Sequence, residues 1–231
     1  MVPGLTPPQA PLTGARLRTP RAAALAGIVF SVLLMSALVL LRLSVPNNPL
    51  ETGRWLGTDA KRVGVALNLV PFAGIAFLWF IGVLRARLGD HEDRFFATVL
   101  LGSGLLFLAM LFSAAAIAGA VLLAYGAYAE ALTESAEFTL VRALSHSIMN
   151  IYAVKVAAVF MITTSTLAIY TGIAARWIAY LGYVLALLLL FGGSFTDWSV
   201  LLFPLWVLLT SIYILIDDFR GTAATPIGHV T

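Results

Sequence analysis

Apolar residues run along this chain in long blocks, and the breaks between the blocks carry nearly all of its charge. About 20 apolar residues cover the roughly 30 Å hydrocarbon core of a bilayer at about 1.5 Å per helical residue. Blocks that reach or approach this length lie at 22–43, 63–84, 95–128, 145–172, 177–193 and 199–216. The pattern predicts an all-α, polytopic transmembrane helical bundle of about six spans. Flanking it, the Pro-rich stretch 1–20 and the polar stretch 218–231 read as disordered tails. The third block, at 34 residues, would run about 51 Å as a straight helix, so it must tilt, kink or project. Within it, Ala115 and Gly119 form a small-xxx-small pair suited to close helix contact.

The breaks sort by length and chemistry. Ser44 to Arg62 reads as a loop, with Pro46, Pro49, Gly53 and Gly57 and with Trp55 as an interfacial anchor. Ala129 to Leu144 is semi-polar, with Glu130, Glu134 and Glu137 on one helical face, and reads as a helix extension or an interfacial segment with a solvated charge run. In the second block, Asn68 precedes Pro71 by three residues, a spacing that predicts a kink beside a polar side chain.

The fourth block, Ser145 to Gly172, carries Lys155 ten residues in, near half depth. Nine strongly apolar residues at about 0.3–0.6 kcal/mol each gain roughly 3–5 kcal/mol on insertion, and one central lysine costs about 2.5–3.5. This marginal balance predicts a helix inside the bundle, with Lys155 turned toward protein or a wet cavity. Spacing at about 100° per residue puts Tyr152, Thr163, Thr166 and Tyr170 on the Lys155 side. Arg142, His146 and Asn150 follow at i, i+4 and i+8 on another face.

Composition narrows the chemistry. With 61% hydrophobic and 11% charged residues and a mean hydropathy of +0.97, the chain is far from the soluble norm of about 25% charged. Zero cysteines exclude disulfides and thiolate sites. The three histidines, His91, His146 and His229, lie in a turn, at a membrane edge and in a tail, which argues against haem or a metal, and no cofactor is expected. All eleven Asp and Glu residues fall in breaks or at span ends, so no deep carboxylate relay or paired-carboxylate hydrolase is legible. Scattered basic residues with a net charge of +3 do not suggest nucleic-acid binding. Placing both termini in the cytoplasm puts eight basic residues inside and five outside, with Lys155 in a span, which sets the expected orientation. Twelve of the fourteen basic residues are arginine, a bias that, with the Ala and Leu richness, fits a bacterial cytoplasmic membrane protein.

The layout from Leu84 to Phe107, LRARLGDHEDRFFATVLLGSGLLF, resembles small multi-span bacterial membrane proteins of unknown function. That resemblance implies location and topology and assigns no residue a role.

Two functional expectations follow. The first is a transport-like or small-ligand-binding protein whose outward-facing polar pocket lies between the second and fourth spans. Asn68, His146, Asn150 and Lys155 would line it, with Arg142 at the rim, and the ligand would be an anionic small molecule or lipid headgroup. The second is a non-catalytic membrane subunit whose small-residue third helix packs on a partner or a second copy. An intramembrane enzyme ranks third, because no catalytic constellation is visible.

Overall fold

The computed structural model describes residues 19–88, 94–172, 175–192 and 198–223, and every regular element among them is helical. Seven α-helices follow in order: α1 (Thr19–Ser44), α2 (Leu56–Leu88), α3 (Arg94–Thr133), α4 (Ala136–Ser147), α5 (Val154–Thr171), α6 (Arg176–Phe191) and α7 (Leu202–Ala223). Single 3₁₀ turns precede α2 (Gly53–Trp55) and α7 (Ser199–Leu201), and a π turn, Ile148–Ala153, joins α4 to α5. Five stretches are long and apolar enough to cross a membrane: Arg21–Ser44, Gly53–Arg85, Phe95–Ala129, Ala136–Thr171 and Ser199–Arg220. The sixth, α6, is apolar but has only 16 residues, about 24 Å of helix. The all-α, membrane-type bundle read from the hydrophobic blocks is the observed fold.

Several boundaries differ from those the blocks suggest. The first loop is shorter than Ser44 to Arg62, because α2 begins at Leu56. Asp59 in its first turn accepts from Thr58 Oγ1 (2.8 Å) and from Arg62 Nη1 (3.0 Å), so a carboxylate sits where the helix dipole favours one. The last helix runs past Ile216 to Ala223, and part of the expected tail is therefore helix. It is tied there by Asp218, which accepts from Arg21 Nε at 2.7 Å. The remaining tail residues (1–18 and 224–231), the charged turn at 89–93 with His91, and residues 173–174 and 193–197 lie outside the described residues. The long third block is continuous helix, and α3 kinks only at the block's last residue, Tyr128 (φ −139°, ψ 45°). After a tight turn, Ser135 caps α4 by accepting the Phe138 N–H on its Oγ at 3.1 Å.

Packing converges on one point. Phe30 of α1, Phe77 of α2, Phe107 of α3, Phe160 of α5 and Phe203 of α7 meet in a knot, each at most 2% exposed. The Phe77 ring lies 4.5 Å from Phe30, 5.2 Å from Phe160, 5.6 Å from Phe107 and 5.7 Å from Phe203, centroid to centroid. These separations fall in the range where tilted and edge-on rings attract. In lipid, helix association depends on such packing rather than on removal of apolar surface from water. Close backbone approach supplies the rest. A Cβ on Gly27 of α1 would strike Ser211 of α7, and one on Gly182 of α6 would strike Ser165 of α5. The Ala115/Gly119 pair does not play that part: nothing lies within 4 Å of a Cβ built on Gly119, and Ala115 borders a cavity instead.

Candidate functional site

A cavity of about 190 Å³ opens at the end of the bundle that bears the α1–α2 loop, between α1, α2, α3 and the α4–π segment. A single water needs about 10–15 Å³ by this measure, so the space exceeds one water more than tenfold. Its floor is made of Leu34, Val70, Leu111, Met149 and Val200. Leu34, Val70, Leu111 and Val200 lie one or two helical turns from a phenylalanine of the knot on the same segment, so the knot closes the cavity from below. From Leu34 on α1 to Val45 just past its end the cavity follows eleven residue steps, about 16 Å. Most of the wall is alkyl, and the polar groups gather toward the loop end. The expected polar pocket is thus an apolar cleft with a polar rim.

Arg142 organises the rim. Its Nη2 donates to the Pro46 carbonyl (2.6 Å), its Nη1 to the Glu51 carbonyl (2.8 Å), and its guanidinium lies 5.4 Å from the Trp55 ring centroid. Planar donor geometry allows one side chain to bridge two carbonyls and stack on an indole together. Both hydrogen-bond acceptors are neutral carbonyls, and the Glu51 carboxylate acts on the guanidinium charge from nearby. The loop is also ordered from within: Asn48 Oδ1 accepts the Leu50 N–H (3.0 Å) and Arg42 Nη1 donates to Asn47 Oδ1 (3.1 Å). Trp55 borders the cavity, and its buried indole N–H finds no acceptor among the described residues. Gly53 leaves room for the Phe138 ring, whose nearest atom would lie 2.8 Å from a Cβ there, and this contact seats the loop on α4. An exposed Arg54–Glu134 pair (2.8 Å) spans the same junction and adds little.

One helical turn and then two below Arg142, His146 and Asn150 reach the same cavity. Ser145 between them donates to the Ala114 carbonyl of α3 at 2.9 Å and fixes the height of the segment. Asn150 sits in the π turn, where i→i−5 bonds replace the usual ladder, and its Nδ2 donates to the His146 carbonyl (3.0 Å). Its Oδ1 is left as an acceptor at the wall. The stripe Arg142, His146, Asn150 is therefore assembled as its spacing suggests.

The other two candidates are elsewhere, and the expected placement is corrected for both. Asn68 is exposed on the outer face of α2 beside exposed Pro71 and Phe72, with its Nδ2 spent on the Gly64 carbonyl (3.0 Å). Pro71 lies within a continuous α2 and borders no part of the cavity. Lys155 is exposed on α5 and does not border this cavity. The cause is Phe160: it follows Lys155 by five residues, about 140° round the helix, so burying Phe160 in the knot turns Lys155 outward. Asn68→Leu should leave thermal stability within about 0.5 kcal/mol and leave cavity occupancy unchanged, checked by tryptophan-fluorescence melting in detergent. A large loss in either would return Asn68 to the site. Trp55, Arg42 and Asn47, absent from the sequence-derived set, complete the rim; the only linear signal was a tryptophan in a Pro-rich loop flanked by arginines.

Among the described residues no group of three or more His, Asp or Glu side chains is placed to hold a metal ion. No protein-family model, no curated protein and no solved structure matches this chain.

Proposed function

We propose that this is a multi-pass protein of a bacterial cytoplasmic membrane that binds or carries an anionic amphiphile. The apolar tail would occupy the cleft above Leu34 and Leu111, with the head group at Arg142, His146 and Asn150. The carrying observation is the gradient within one cavity, alkyl at the bottom and at the top a guanidinium hydrogen-bonded to two backbone carbonyls. Trp55 Nε1–H and Asn150 Oδ1 offer a further donor and acceptor to an incoming head group. The excess of basic residues on the opposite side supports both termini inside and the cavity opening outward. An anionic head rather than a neutral one follows from the charge-assisted bonds that Arg142 can still form.

The test is photolabelling of the purified full chain with a diazirine-bearing fatty acid, with labelled peptides mapped by mass spectrometry. Labels should concentrate on α1, α3 and α4, and the corresponding fatty alcohol should label about tenfold less, the equivalent of one charge-assisted hydrogen bond. Ala118→Phe, which pushes a ring into the cleft from α3, should abolish the concentrated labelling. Uniform labelling of lipid-facing helices, unchanged by Ala118→Phe, would sink the proposal.

A further inference from the structure

Length and volume both limit what the cleft below Arg142 can hold. On α1 the lowest polar residue at its wall is Arg42, and below it only Leu41, Leu38, Ala37 and Leu34 line the space. From Arg42 to Leu34 is eight residue steps, about 12 Å of helix. On α3 every lining residue is apolar. On the third wall the Asn150 amide turns up to the His146 carbonyl (3.0 Å) and so stays with the polar groups toward the rim. Leu34 and Leu111, 1% and 3% exposed, close the lower end.

Carbon–carbon bonds of about 1.5 Å meeting at about 111° advance an extended alkyl chain by about 1.3 Å per carbon. An apolar wall of about 12 Å therefore holds about nine carbons. Volume gives nearly the same count. An apolar cavity of about 150 Å³ takes up one benzene, six carbons, so a space of about 190 Å³ takes about eight. The two counts agree only for one unbranched tail, because two tails side by side would need about twice the volume at the same length.

We infer that the cleft selects its ligand by tail size and takes a single-chain, medium-chain acid of about eight to ten carbons in preference to long-chain acids and two-chain lipids. The inference rests on the amphiphile reading above and adds the size limit to it. A shorter tail leaves part of the cleft empty, which costs about threefold in affinity for each missing methylene. A longer tail must overpack against Leu34 and Leu111 or bend out through the rim, a misfit that costs about tenfold. Unbound ligand already lies in the hydrocarbon of the bilayer, so the release of apolar surface from water does not favour long tails, and fit alone sets the preference.

The experiment is competition against the diazirine-bearing fatty acid, with the full chain in phosphatidylcholine nanodiscs. Straight-chain acids of four to sixteen carbons are compared at equal mole fraction in the bilayer. Competition should peak at eight to ten carbons and be about tenfold weaker at six and at sixteen. Ala115→Leu adds three carbons to the wall one turn above Leu111 on α3 and should move the peak down by two or three carbons. Leu34→Ala should move it up by as much; Ala115→Leu, at a half-buried position, carries the test if Leu34→Ala does not fold. Competition that is independent of length, or that rises steadily to sixteen carbons, overturns the size limit, and so does a peak unmoved in Ala115→Leu. In each of those cases labels still concentrated on α1, α3 and α4 leave the amphiphile reading standing. Loss of that concentration in the wild-type chain sinks both.

Discussion

Phe77→Ala is expected to destabilise the bundle by about 3–5 kcal/mol, the range for truncating a fully buried phenylalanine in a tightly packed interior. Phe77 is 0% exposed and its ring touches those of Phe30, Phe80, Phe107, Phe160 and Phe203. Its removal opens a void on which α1, α2, α3, α5 and α7 all border. Helices fixed by further close contacts, such as Gly27 against Ser211, cannot collapse freely into that void, so the cost should sit toward the upper end. The void also adjoins the cavity floor, so Phe77→Ala should weaken amphiphile binding along with stability. Thermal unfolding followed by circular dichroism, with Phe77→Leu as the smaller truncation, measures both the size and the order of the effect. A loss below about 1 kcal/mol, the ordinary scale of point substitutions, would show that the aromatic knot does not organise the fold.

Arg142→Met should cost about 2–3 kcal/mol and free the α1–α2 loop. Two bonds from a charged donor to backbone carbonyls are lost, leaving the Pro46 and Glu51 carbonyls to find other donors. The stacking on Trp55 goes with them. Limited trypsin digestion gives a local readout, since Arg54 lies at this loop and should become a cleavage site in the variant while the rest of the bundle stays resistant. Arg142→Lys should not restore protection, because an ammonium cannot bridge two carbonyls and stack on an indole at once. Full protection in Arg142→Lys would mean that charge alone anchors the loop. Protection retained in Arg142→Met would move the anchoring to Phe138 and Gly53.

How much was legible beforehand depended on the kind of information. Block length and composition specify helix and membrane, because a bilayer leaves no other economical way to satisfy a backbone over 20 apolar residues. Short-range spacing specified the Arg142, His146, Asn150 stripe, because i, i+4 and i+8 lie close to one face of a helix and the π turn at Ile148–Ala153 still leaves Asn150 at the cavity wall. Asn68 and Lys155 were misplaced for a different reason. A polar residue in an apolar span is expected to face inward when judged by its own cost alone. The structure shows that face claimed by apolar groups: Phe160 takes the core side of α5, and Val70, Ala73 and Phe77 take that of α2.

The sequence by itself determined the helical membrane class, the approximate block boundaries, the absence of thiol chemistry and the existence of two polar stripes around Lys155. These are properties of composition and of neighbours within two or three turns. Only the tertiary structure decided which stripe meets a cavity, that the cavity is alkyl below and cationic above, and that Trp55 and the Pro46–Glu51 backbone belong to it. It also decided that Lys155 faces outward. Those outcomes rest on contacts between different helices and loops, as Arg142 joins Glu51 and Pro46 across 91 and 96 positions. Competition among side chains from five helices for one interior sets them, and no local period records that competition.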